Sequence, residues 1–63
     1  MEGETPLHLA AGWKRPETCQ LLINHGAEVN VENRKGETPL QFAEGDTPEA
    51  IKTRKILLMN GAK

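Results

Sequence analysis

Three side chains in this 63-residue sequence could act as metal ligands or nucleophiles: His8, Cys19 and His25. Zinc sites draw their ligands at short recurrent spacings, with two to four residues between paired cysteines and three to five between paired histidines. Here the separations are 11 and 6 residues, so no metal site is predicted. Cys19 falls on an apolar stripe with Leu22 and Ile23, a setting that predicts a small buried hydrophobe rather than an activated thiolate. There is no glycine-rich phosphate loop, no dinucleotide fingerprint and no carboxylate pair beside a histidine. Phosphate binding and acid–base catalysis therefore lack a starting point. A chain this short also has little room to enclose a substrate pocket of roughly 300 Å³ or more. The sequence reads as non-enzymatic, with no metal and no cofactor.

The elements that carry these residues come in two copies. Gly3-Glu4-Thr5-Pro6-Leu7-His8-Leu9-Ala10-Ala11 returns 33 residues later as Gly36-Glu37-Thr38-Pro39-Leu40-Gln41-Phe42-Ala43-Glu44. A second block, Leu21-Leu22-Ile23-Asn24-His25-Gly26-Ala27, returns 35 residues later as Ile56-Leu57-Leu58-Met59-Asn60-Gly61-Ala62. The chain is two copies of one unit, 1–31 and 32–63, the second enlarged by two residues. A period near 33 residues is the signature of a stacked repeat architecture.

Within each copy the residues predict two helices. Thr5-Pro6 and Thr38-Pro39 open the first helix, because a threonine hydroxyl accepts an unpaired backbone N–H and proline has none to leave unpaired. Leu7, Ala10 and Ala11 share one narrow face, as do Leu40 and Ala43, and the small alanines let a neighbouring helix approach closely. Gly12 and Gly45 mark the expected stops. Second helices are predicted from near Pro16 and from Thr47-Pro48-Glu49. Their expected core stripes are Cys19, Leu22, Ile23 and Gly26, then Ala50, Arg54, Leu57, Leu58 and Gly61. Gly26 and Gly61 are placed to end these helices in the left-handed conformation. His25 is read as a donor or cation near a helix C-terminus.

Thr5-Pro6-Leu7-His8-Leu9-Ala10 and the Leu-Leu-x-x-x-Gly-Ala ending both resemble the ankyrin-repeat family, and both occur at the right separation, twice. The resemblance implies an all-α ankyrin-repeat solenoid, with stacked helix-turn-helix units joined by a β-turn finger over residues 27–37. It implies that His8 ties its loop to an adjacent repeat. The second copy departs from the pattern: Gln41 replaces the histidine, Glu44 replaces the second alanine, and two residues are added between Gly45 and Thr53. A glutamine can still donate a hydrogen bond to a neighbouring loop. A carboxylate is rarely buried unpaired, so Glu44 is expected to face water. The insertion is expected to lengthen the start of the second helix.

The resemblance also implies a function, a non-catalytic protein–protein interaction module whose partner is another protein. Carried over by position, the expected partner-binding residues are Arg34, Lys35 and Glu37 on the finger, Trp13 after the first helix, and Asp46 at the matching place in the second copy. Tryptophan is enriched among interface hot spots. Trp13 could equally fold over its loop to shield Leu9 or the second helix. For Arg34 and Lys35 a solvated tip is the competing reading. The alternative function is a structural spacer or capping segment of a longer solenoid. Self-association through uncovered ends is a third expectation.

With 8 basic and 9 acidic residues, net charge −1 and no run of one sign, the composition gives no electrostatic case for nucleic acid or an anionic membrane. The longest strictly apolar runs fall far short of the roughly 20 residues a membrane span requires. Met1-Glu2-Gly3-Glu4 is acidic where a signal peptide is basic and then apolar. Together with the single cysteine, this points to an intracellular setting, cytoplasmic or nuclear. Such a chain buries only about 60% of its unfolded surface, and aromatics are 3% of it. Two repeats without polar caps therefore read as a piece of a longer array.

Overall fold

A threonine followed by a proline begins three of the four helices. The computed structural model describes residues 3–63, so the Met1-Glu2 part of the signal-peptide argument lies outside the described residues. The order is α1 (Pro6–Gly12), α2 (Pro16–Asn24), α3 (Pro39–Phe42) and α4 (Pro48–Met59), with no strand among the described residues. Thr5, Thr38 and Thr47 are the N-caps of α1, α3 and α4 in extended conformation, each with proline at the first helical position. Arg15 precedes Pro16 at α2 without a side-chain cap.

Each copy folds as a helix pair, α1 against α2 and α3 against α4. The pairs stack with α1 on α3 and α2 on α4. Leu7, Ala10, Ala11, Cys19, Ala43 and Leu57 form the buried core, and Leu22, Ile23, Leu40 and Phe42 pack half-buried against it. Gly12 has a packing reason to lack a side chain: an added Cβ would come within 3.3 Å of the Phe42 ring.

Both second helices end in the same hydrogen-bonded cap. Ala27 N–H reaches Leu22 O at 3.0 Å and Gly26 N–H reaches Ile23 O at 3.0 Å, and Ala62 and Gly61 repeat the pattern onto Leu57 and Leu58. Gly26 and Gly61 take φ of 95° and 99°, the left-handed conformation that glycine enters without steric cost. The end of α1 uses the same cap, with Arg15 N–H on Ala10 O and Lys14 N–H on Ala11 O. α1 stops at Gly12 as expected, and the left-handed residue of its cap is Lys14, at φ 55°.

Several expectations are corrected. α3 stops at Phe42, three residues before Gly45, and Glu44, the counterpart of the fully buried Ala11, faces water as expected. Nothing among the described residues covers the outer side of α3, so the carboxylate keeps its hydration there. α4 is lengthened as expected, 12 residues against 9 for α2. Its buried stripe is Ala50, Thr53 and Leu57, whereas Leu58 is 54% exposed. Thr53 is accommodated because its hydroxyl donates to Glu49 O at 2.7 Å. Arg54, read as part of the core stripe, instead donates from Nη1 to Ala43 O at 2.8 Å and Gly45 O at 2.7 Å. It thereby satisfies carbonyls freed by the early end of α3.

Candidate interaction surface

The finger between α2 and α3 is shaped by one buried polar side chain that sequence reasoning did not single out. Asn33 Oδ1 accepts the N–H groups of Lys35 and Glu37, both at 2.9 Å, and its Nδ2 donates to Glu37 Oε1 at 2.8 Å and Glu4 Oε2 at 3.3 Å. Gly36 N–H returns to Asn33 O at 3.0 Å. Asparagine at the first turn position with glycine three residues later is a turn signal that could have identified it. Arg34 and Lys35 form the exposed tip of this turn. Glu37 is half-buried, its carboxylate held by Asn33.

His8 anchors the finger to α1. Thr5 N–H donates to Nδ1 at 3.1 Å, so Nε2 carries the ring proton and donates to Glu37 O at 2.7 Å. The imidazole is fully buried, edge-on to Phe42 at 5.1 Å between ring centroids. The tie expected of this histidine is present. Gln41, its counterpart, is exposed and accepts only from its own N-cap, Thr38 N–H, at 2.7 Å. Asn30 makes a second tie between the copies, donating to Gly61 O at 2.9 Å and accepting from Lys63 N–H at 3.0 Å. No feature of a single sequence marked it.

Trp13 is 68% exposed at the end of α1. It borders two open grooves. One, of about 440 Å³, runs along the outer face of the first helix pair between Pro6, Leu9, Ala10, Arg15, Thr18 and Leu22. The other, of about 410 Å³, lies between the two interhelical turns, with Lys14 and Arg15 on one wall and Glu44, Gly45, Thr47 and Glu49 on the other. Leu9 remains 42% exposed beside it, so the indole does not seal the first groove. Asp46 is exposed within the same acidic turn. The structure thus brings Trp13 and the Asp46 turn to one region, while Arg34, Lys35 and Glu37 stand on the finger; neither of the two grooves beside Trp13 is lined by a finger residue.

His25 is the C-cap of α2 and Cys19 is fully buried, its thiol pushed up to about 11 by desolvation. Such a thiol is poorly suited to nucleophilic attack near neutral pH. Among the described residues, no three His, Cys, Asp or Glu side chains are grouped to hold a metal ion, and no helix is long and apolar enough to cross a membrane.

A family model for ankyrin repeats (3 copies) matches residues 1–63. The chain belongs to the ankyrin-repeat family. Rabankyrin-5 of Homo sapiens is 50% identical to it over 42 residues, 67% of this chain and 4% of that protein. Ankyrin repeat domain-containing protein 13B of Mus musculus is 44% identical over 57 residues, 90% of this chain and 8% of that protein. Inversin-A of Xenopus laevis is 38% identical over 56 residues, 87% of this chain and 6% of that protein. The chain therefore spans only a small part of the curated relatives it matches. Ankyrin repeats are generally non-catalytic protein-interaction modules, and the all-α stack described above is their fold.

Proposed function

We propose that this chain is a non-catalytic interaction module of two ankyrin repeats, 1–31 and 32–63, that presents finger and first-helix residues to another protein inside the cell. The recognition set is Trp13 and Asp46 at the interhelical turns, with Arg34, Lys35 and Glu37 on the finger. The observation that carries the reading is the 68% exposure of Trp13 at the C-cap of α1, where its backbone N–H is held by Leu9 O at 3.0 Å. A large aromatic held in water on a rigid frame loses little conformational entropy on docking. The Asn33 network and the His8–Glu37 bond hold the finger in the same way, so Arg34 and Lys35 are offered from an ordered turn. Mixed charge supports a protein partner over nucleic acid or an anionic membrane.

The test is selection of binders from a displayed library of protein fragments on the immobilised chain, followed by affinity measurement against Trp13→Ala and Arg34→Ala variants. The expected result is a loss of tenfold or more for Trp13→Ala, on the order of 1.4 kcal/mol or more. Unchanged affinity in both variants rejects these sites.

A second reading, a spacer or cap of a longer solenoid without partner contact, draws support from Gln41, Glu44 and Arg54. These make the outer side of the second helix pair polar where the matching residues of the first pair, His8, Ala11 and Cys19, are buried.

A further inference from the structure

The two interhelical turns lie side by side and carry opposite charge. The first presents Lys14 and Arg15, and the second presents Glu44 and Glu49. Between them runs the groove of about 410 Å³ that Trp13 borders. Its walls come from both helix pairs, so their contact forms it. Among the described residues no ion pair spans it. Lys14 Nζ turns back to Gly12 O at 3.2 Å, and the pair of Lys52 with Glu17, at 3.9 Å, sits one row away on α4 and α2. Arg15, Glu44 and Glu49 are exposed, with their charges in water along the groove.

We propose that this groove takes an extended peptide segment of the partner protein in which acidic and basic residues alternate, led by an apolar residue that meets Trp13. Packed helices lie roughly 8–10 Å apart, whereas a helix with its side chains is about 10–12 Å across. A partner helix would therefore lie over the two turns without entering between them. An extended chain is narrower, and its successive side chains point to opposite sides. Laid along the groove, it turns one residue toward Lys14 and Arg15 and the next toward Glu44 and Glu49. Alternating charge satisfies both walls, whereas two neighbours of one sign set one of them against a wall of its own sign. Arg15 suits the acidic residue, since a guanidinium offers a carboxylate two parallel donors. Exposed pairs of this kind each contribute little, so the charge pattern selects the partner more than it tightens binding, and Trp13 supplies the apolar contact. The inference rests on the interaction-module reading and names the partner chemistry at Trp13.

The test is fluorescence anisotropy of two dye-labelled probe peptides of one composition, Leu-Glu-Lys-Glu-Lys and Leu-Glu-Glu-Lys-Lys, titrated with the 63-residue chain at low and high salt. The alternating peptide is expected to bind about threefold or more tighter than the blocked one at low salt, with the difference lost at high salt. Arg15→Glu and Glu44→Lys, at exposed positions where neither native side chain caps a helix, each remove that preference while far-ultraviolet circular dichroism confirms a folded chain. Trp13→Ala weakens both peptides alike. Equal binding of the two peptides overturns the proposal, and so does a preference unmoved by either charge reversal. In both cases a loss on Trp13→Ala leaves the interaction-module reading standing. Binding of neither peptide also overturns the proposal, and the library selection described above then judges that reading separately.

Discussion

The two helix pairs open alike, with Thr5-Pro6-Leu7 and Thr38-Pro39-Leu40, and part company at the next residue. In the first pair His8 goes inward, joins the Thr5 N–H to Glu37 O across the stack, and α1 continues to Gly12. In the second pair Gln41 stays in solvent, reaches only its own cap, and α3 ends after four residues. Arg54 and a longer α4 take over what α3 gives up. The difference teaches that the signature residues hold a repeat to its neighbour more than they hold the helix itself. A cap bond to Thr5 or Thr38 is available to either side chain, but the imidazole also reaches the next finger.

The sharpest way to break the comparison is to truncate the matching leucines. Leu7 is 1% exposed and Leu40 half-buried. Leu7→Ala is expected to cost about 2–5 kcal/mol through lost burial and a residual cavity, enough to leave so small a domain largely unfolded, and Leu40→Ala clearly less. Urea denaturation followed by circular dichroism measures both. Equal costs would show that the outer side of α3 is as well packed as the stacked interface.

His8→Ala against Gln41→Ala comes next. Losing the imidazole leaves Glu37 O without its ring donor in a part-buried setting, for about 1–3 kcal/mol. Losing the exposed carboxamide is expected to cost under about 1 kcal/mol, because water replaces it at the Thr38 N–H. Gln41→His is expected to gain little, since no finger lies beyond it among the described residues to accept the second bond.

The same position in the second helices holds Cys19 in one pair and Arg54 in the other, and this contrast can be read by pH. Burial pushes the Cys19 thiol from 9.0 up to about 11. Between those values the unfolded chain has released the proton and the folded chain retains it. Stability is therefore unaffected below about pH 9 and falls as pH rises toward 11, by at most about 1.4 kcal/mol per pH unit. The difference between the profiles of the native chain and Cys19→Ala isolates this effect from lysine titration. A flat difference would mean that the thiol is not desolvated.

Helix starts, both glycine caps, the stacked repeat and the His8 tie were legible because each is local chemistry or repeated spacing. Thr-Pro fixes a first turn wherever it stands, and Gly26 and Gly61 recur with the same flanking leucines. What was not legible depends on geometry between elements. Arg54 sits at a core-like spacing, and only the early end of α3 gives its guanidinium carbonyls to bind. Leu58 matches Ile23 in the repeat but lies on a side of α4 that faces water. Asn30 reaches Gly61 across 31 residues, a contact no local pattern encodes. For the recognition set, exposure of Trp13, Arg34, Lys35 and Asp46 could be expected from their place outside the signature. The internal engagement of Glu37 could not, because it depends on Asn33 turning inward.

The smallest expected effect concerns the turns that carry the candidate surface. All three cap motifs need a left-handed residue, and two supply glycine while the end of α1 supplies Lys14 at φ 55°. A side chain with a Cβ is held there against a steric preference of about 1 kcal/mol, partly offset by the bond from Lys14 Nζ to Gly12 O at 3.2 Å. Lys14→Gly removes the strain but also that bond, and it enlarges the conformational freedom of the unfolded chain. The net expectation is a stabilisation of a few tenths of a kcal/mol, whereas Gly26→Ala and Gly61→Ala destabilise by about 1 kcal/mol or more. Opposite signs in urea titrations would confirm that one cap motif closes all three helices. A destabilising Lys14→Gly would mean instead that the ammonium-to-carbonyl contact, and not the backbone conformation, holds the basic turn beside Trp13.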